Sequence, residues 1–169
     1  MKKTNRARLL VVEDDSNMRE LIVLGLESGS FEVVAVEDGA IAMETILKEK
    51  SPELIYQLMI TDLKMPNLSG EDLIAEMCAK NIRIPVMVMS GHGDKPALIR
   101  LMRMGCNDFI DKPFTVTQLL DSVRMTLEKI RTRKIDQEAR EARLRKQLAE
   151  MKRLLKKYET QFASMRREF

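Results

Sequence analysis

The chain has 169 residues, 44% hydrophobic and 4% aromatic, with thirteen Met and no Trp, enough for one ordinary domain plus an appendage and for an aliphatic core, which excludes wholesale disorder. No apolar run approaches the ~20 residues of a membrane helix, and the run behind the basic start stops at Val12, too short for a signal peptide, so a cytoplasmic protein without membrane insertion is expected. The net charge of +3 is uneven: residues 1–123 carry fourteen basic and nineteen acidic side chains, net −5, and residues 124–169 carry fifteen and seven, net +8, which suggests two parts with different tasks.

Short apolar runs recur along the chain. The first, 9–12, is followed by Glu13, Asp14 and Asp15. A helical stretch over 18–27 then places Met18, Leu21, Ile22, Gly25 and Leu26 on one face, with Asp15 as the helix start. Residues 31–36 predict a second strand and 40–47 a second helix. A long connection, 51–57, leads to a third strand at 58–60, with Asp62 just beyond. Ser69 and Asp72 form an acidic variant of the capping box before a helix over 72–79. A strand at 86–89 ends at Ser90, and a helix over 97–104 stops at Gly105, where a C-terminal glycine is wanted. The fifth strand, 108–110, is followed by Lys112. The runs at 9–12 and 86–89 read as strands buried on both faces. Cys78 and Cys106 lie far apart and form no CxxC, so both are expected to be reduced, buried thiols. One His beside two Cys gives no zinc spacing.

Five alternations of strand and helix predict a doubly wound α/β domain with a five-stranded parallel sheet. Function in such sheets gathers beyond the carboxyl ends of the strands. The residues due there are Glu13, Asp14, Asp62, Ser90 and Lys112. Carboxylates crowded at one point repel each other unless a cation sits among them, and an all-oxygen set suits Mg²⁺. A carboxylate can attack phosphorus to give an acyl phosphate. Such a reaction needs a metal to neutralise phosphoryl oxygens, and it gains from an ammonium and a hydroxyl that hold the others. Any one of these residues alone reads equally well as a structural feature after a buried strand, the acids as helix caps. All five in this strand order do not.

Four segments carry a resemblance: Val11-Val12-Glu13-Asp14-Asp15; Ile60-Thr61-Asp62-Leu63-Lys64-Met65-Pro66-Asn67-Leu68-Ser69-Gly70; Val88-Met89-Ser90-Gly91; and Phe109-Ile110-Asp111-Lys112-Pro113-Phe114. Together they resemble the receiver domain of two-component response regulators, over roughly residues 7–123. The resemblance implies a flavodoxin-like fold and phosphorylation at Asp62 by a sensor histidine kinase. It implies Mg²⁺ held by Asp14 directly, by Glu13 through water, by Asp62 and by the backbone carbonyl of Lys64. It implies Lys112 on the phosphoryl group, a cis Lys112–Pro113 bond, and Ser90 with Phe109 as a switch pair. Lys64 and His92 would flank the phosphoryl group and tune its lifetime. Glu13, Ser90 and Phe109 stand where Asp, Thr and Tyr are commoner. His92, in a Gly-His-Gly loop, also reads as an ordinary solvated histidine. The implied chemistry is the domain's own phosphorylation and dephosphorylation; a separate catalytic domain is not visible.

Behind Pro113 nothing breaks a helix over 114–169. Thr115 and Gln118 form a capping box, and the composition favours helix throughout. At ~1.5 Å per residue the segment reaches roughly 80 Å, so most of it is expected to project. A heptad frame from Leu120 gives the core positions Leu120, Val123, Leu127 and Ile130. Lys134, Gln137 and Glu141 follow, and then Leu144, Leu148, Met151, Leu155, Tyr158, Phe162, Met165 and Phe169. The first block is expected to pack on the sheet, the last to form a coiled coil and a homodimer. Ile135, Ala139 and Ala142 offer a neighbouring stripe through the polar middle. Flanking pairs such as Arg140 with Arg145 give no clean orientation code. The expected division is a phosphoacceptor domain at 1–123 and a dimerising or linking helix at 124–169.

Three functions remain open. One is a signalling switch that changes dimer geometry or the binding of an unidentified downstream protein. Another is the regulatory front of a longer chain with a phosphatase, cyclase or ATPase output. Nucleic-acid binding by the basic helix is disfavoured, because 114–169 contains no turn and hence no helix-turn-helix.

Overall fold

The computed structural model describes residues 6–91 and 95–165. Its elements run β1 (Arg8–Val12), α1 (Ser16–Ser28), β2 (Glu32–Val36), α2 (Gly39–Leu47), α3 (Pro52–Ile55), β3 (Leu58–Asp62), α4 (Gly70–Ala79), β4 (Val86–Ser90), α5 (Lys95–Arg103), β5 (Asp108–Asp111) and α6 (Val116–Met165). The strands form one parallel sheet in the order β2-β1-β3-β4-β5. This is the doubly wound, flavodoxin-like order, with its switch point between β1 and β3.

Strand alternation supplies two cores, because successive side chains point to opposite faces. Leu9, Val11, Leu58, Ile60, Met87 and Met89 pack with Ile22 and Leu26 of α1 and with Leu119 and Val123 of α6. Leu10, Val12, Met59, Val86 and Val88 pack on the other side with Ala42, Ile46, Leu73, Met77 and Leu101. The inner strands β1, β3 and β4 are therefore buried nearly throughout, whereas β2 and β5 at the edges are half exposed.

The expected helix starts are present as hydrogen bonds. Asp15 Oδ1 accepts from Met18 N–H at 2.8 Å. Thr115 and Gln118 cap reciprocally: Thr115 N–H donates to Gln118 Oε1 at 2.8 Å, and Gln118 N–H to Thr115 Oγ1 at 3.2 Å. At Ser69 the pattern differs. Its hydroxyl accepts from Asp72 N–H and donates to Asp72 Oδ2 at 2.6 Å, so the acid returns to the side chain and not to the backbone. Gly105 takes a φ of 99°, which its lack of a Cβ permits, and closes α5.

Four local expectations change. The connection 51–57 contains a one-turn helix, α3, started by Pro52 and followed by the buried Tyr56. Leu21 is exposed, because α1 buries the line Ile22, Gly25 and Leu26 and leaves Leu21 at its border. Cys78 is exposed on α4; Cys106 is buried, and burial pushes its thiol up to about 11. On α6 the most deeply buried residues are Leu119, Val123 and Thr126, with Leu120, Leu127 and Ile130 only partly buried beside them. A helix lying on a sheet buries a broader stripe than a two-helix seam does.

The chain divides into two compact units, residues 1–130 and 131–169. In the second, every side chain from 131 to 159 is exposed, including those of Leu144, Leu148, Met151, Leu155 and Tyr158. No helix among the described residues is long and apolar enough to cross a membrane.

Candidate functional site

Asp62 ends β3, and Glu13 and Asp14 follow β1, its sheet neighbour. Parallel pairing therefore brings the three carboxylates to one edge. One oxygen from each lies within 4.8 Å of the other two. Glu13 is buried, Asp14 exposed and Asp62 intermediate. Lys112, just beyond β5, reaches the same point. Its Nζ donates to Glu13 Oε2 at 2.7 Å and to Asp62 Oδ2 at 2.9 Å. A cleft of about 530 Å³ opens over this group, walled by Asn17, Met18 and Leu21 of α1.

Burial pushes the Glu13 carboxyl above its ordinary range, against the pull of Lys112. For Lys112, burial disfavours the ammonium, but its bonds to Glu13 and Asp62 outweigh that and hold its pKa above the ordinary value. A buried carboxylate beside two others favours a cation. Oxygen ligands alone suit a hard divalent ion, so the donor set is compatible with a divalent metal, to which Glu13, Asp14 and Asp62 could each offer one oxygen.

The surrounding chain fixes these groups. Leu63 N–H donates to Asp62 Oδ1 at 2.6 Å, and Thr61 Oγ1 to the Asp62 carbonyl at 2.9 Å. The Arg19 guanidinium donates to the carbonyls of Glu13 at 2.6 Å and Asp14 at 3.1 Å, bracing the loop after β1. Gly70 lies so close to Asp62 that a Cβ there would stand 1.9 Å from its carbonyl oxygen. Asn67 Nδ2 donates to Asp38 Oδ2 at 2.6 Å, tying the loop after β3 to the start of α2. Sequence reasoning assigned no role to Arg19, Asn67 or Gly70. Only Gly70 left a signal, as a glycine following a capping serine.

Ser90, at the end of β4, is fully buried, and its hydroxyl donates to Asp111 Oδ1 at 2.7 Å, away from the carboxylate cluster. Phe109 is 43% exposed and shares an apolar cleft of about 610 Å³ with Leu98, Ile99 and Met102. Lys64 lies exposed in the loop after Asp62. The Lys112–Pro113 bond is cis, as expected. His92 lies outside the described residues.

A doubly wound sheet with three acids and a lysine at its switch point defines an α/β domain of the flavodoxin-like class, with an acidic cluster compatible with a divalent cation. Its family is settled by comparison: the chain belongs to the response regulator receiver domain family, whose family model matches residues 9–124. It is similar to nodulation protein W of Bradyrhizobium diazoefficiens, 35% identical over 78% of this chain and 56% of that protein. It is also similar to the transcriptional regulatory protein FixJ of the same organism, 32% identical over 66% of this chain and 52% of FixJ. Among solved structures, a response regulator receiver protein from Pseudomonas putida aligns with a TM-score of 0.62 at 32% identity, covering 71% of this chain and 97% of that one. NtrX from Brucella abortus aligns at 0.70 and 26% identity, covering 79% of this chain and 29% of NtrX. The chain spans about half the length of the first two relatives. It is a two-component response regulator receiver domain.

Proposed function

We propose that Asp62 is the phosphoacceptor, that Mg²⁺ is the metal of the acidic cluster, and that the switch so made is read out through the C-terminal helix. The observation that carries this reading is the Asp62 carboxylate within 2.9 Å of the Lys112 ammonium and beside Glu13 and Asp14. Asp62 attacks the phosphorus of a kinase phosphohistidine. An O–P bond forms, the N–P bond breaks, and its electron pair returns to the imidazole nitrogen, which takes up a proton. Leu63 N–H orients the carboxylate during attack. Lys112 shifts from the carboxylates to the incoming phosphoryl oxygens and offsets their charge. When bound, Mg²⁺ neutralises phosphoryl oxygens. Glu13, Asp14 and Asp62 would hold it, together with the Lys64 carbonyl. Ser90 then turns its hydroxyl to the phosphoryl group while Phe109 turns inward, and Lys64 and His92 flank the group and tune its lifetime. The division of labour is a phosphoacceptor unit at 1–123 and a dimerising or linking helix at 124–169, whose first turns, to Ile130, pack with the phosphoacceptor unit.

A small phosphodonor with Mg²⁺ should add one phosphoryl group per chain, visible in the intact mass. Chelation of the metal should prevent it. Labelling that persists unchanged in EDTA would contradict the metal's part.

One observation favours a second reading. Since the chain spans about half the length of its relatives, the receiver can serve as the regulatory part of a longer protein with its own output. Such an output would be an enzyme, or transcriptional control of the kind FixJ is named for. The length of the native reading frame decides between them.

A further inference from the structure

The Ser90 hydroxyl is already committed. It is wholly buried and donates over 2.7 Å to Asp111 Oδ1. The sheet register makes this partnership, since Ser90 pairs with Asp111 across β4 and β5. Lys112 N–H locks the same rung by donating to the Ser90 carbonyl at 2.6 Å. Asp111 itself is exposed. Sequence reasoning gave it no role, and the chemistry at Asp62 does not use it.

We propose that Asp111 is a positioning residue that holds the Ser90 hydroxyl on the β5 side, away from Asp62, and so opposes the phosphorylated conformation. The inference rests on the reading of Asp62 as phosphoacceptor and Ser90 as its hydroxyl partner. A serine hydroxyl has one proton. It donates either to Asp111 or to a phosphoryl oxygen on Asp62, never to both. The alternatives are discrete, because the side chain turns between staggered wells. β4 lies between β5 and β3, and Met89, next to Ser90, pairs with Asp62. In the well it occupies the hydroxyl faces Asp111, and a turn toward the acceptor takes it into another. A hydrogen bond to a carboxylate is one of the stronger kinds, and with Ser90 buried no water replaces it cheaply.

The same contact bears on Phe109. Phe109 and Asp111 are two residues apart on β5 and so share a face. Both line the apolar cleft with Leu98, Ile99 and Met102. Release of Ser90 by Asp111 and the inward turn of Phe109 therefore occur on one surface of β5. Asp111 acts through Ser90 and does not touch the reacting atoms.

The test uses the full chain with Mg²⁺ and beryllofluoride, an anion that mimics a phosphoryl group on a carboxylate. Affinity is read by calorimetry for wild type, Asp111→Ala, Asp111→Asn and Asp111→Glu, each also combined with Ser90→Ala. Freeing the hydroxyl should tighten binding about three- to tenfold in Asp111→Ala. Asp111→Asn, which keeps the shape and a neutral acceptor, should gain less, and Asp111→Glu least. Removing a negative charge near the site favours any anion. The decisive quantity is therefore the gain that vanishes when Ser90 is Ala. Equal affinities in wild type and Asp111→Ala would overturn the proposal, as would the same gain with and without Ser90. No binding by wild type would instead remove the reading of Asp62, and this proposal with it.

Discussion

The two oxygens of Asp62 face different partners: Oδ1 accepts from Leu63 N–H and Oδ2 from Lys112. That arrangement depends on a loop with no room to spare. A Cβ at Gly70 would stand 1.9 Å from the Asp62 carbonyl oxygen, and Gly70 N–H also donates to the Leu63 carbonyl. Gly70→Ala should therefore destabilise the fold by about 2–3 kcal/mol in urea titrations and displace the Asp62 carboxylate. An unchanged midpoint would mean that the loop yields easily. Asp14 plays a different part, because it is exposed and adds charge to an already negative cluster. Asp14→Ala should lose most of the Mg²⁺-dependent rise in melting temperature, while the metal-free protein gains stability or keeps it. Unaltered Mg²⁺ affinity in that variant would exclude Asp14 as a ligand.

α6 is joined to the sheet by polar as well as apolar contacts. Thr126 Oγ1, fully buried, donates to Asp108 Oδ2 at 3.0 Å, and Lys129 Nζ to the same oxygen at 2.7 Å. Burial alone would raise the Asp108 pKa, but these two bonds, a third from Phe109 N–H and the Lys129 charge outweigh it and hold the carboxyl below its ordinary range. A depressed pKa stabilises the fold above the unfolded value, about 3.9, and that contribution is lost as pH falls through the folded value. Stability should therefore drop below about pH 4, and Asp108→Asn should flatten that acid limb. An identical acid limb in the variant would show that the contact is energetically silent. This contact also marks where sequence reading ran out. The five strands were legible because Leu, Val and Met runs buried on both faces alternate with amphipathic helices. The cluster was legible because Glu13, Asp14, Asp62, Ser90 and Lys112 each lie at or just beyond a strand end. Asp108 to Thr126 and Ser90 to Asp111 were not legible, because such pairs depend on register and on helix rotation. A frame started at Leu120 placed Thr126 beside the seam, whereas contact with a sheet buried it.

For the whole molecule, the exposed side chains of Leu144, Leu148, Met151, Leu155 and Tyr158 repeat at heptad spacing. Burying each contributes up to roughly 1.5–3 kcal/mol, and a second copy of the helix is the simplest cover. Light scattering at tens of micromolar should give a dimer for the full chain and a monomer for a version ending at Ile130. The net +8 of residues 124–169 opposes association, so added salt should tighten it. A full-length monomer would assign the seam to another partner, and a dimer that survives truncation would place the contact on residues 1–130. The signalling role rests on the chemistry at one carboxylate, which is open to direct measurement. After reaction with a small phosphodonor and Mg²⁺, borohydride reduces an aspartyl phosphate to homoserine, and peptide mass spectrometry locates the change. The account predicts homoserine at Asp62 alone, and none in Asp62→Asn. Homoserine at another position, or a phosphoryl group retained by Asp62→Asn, would contradict it.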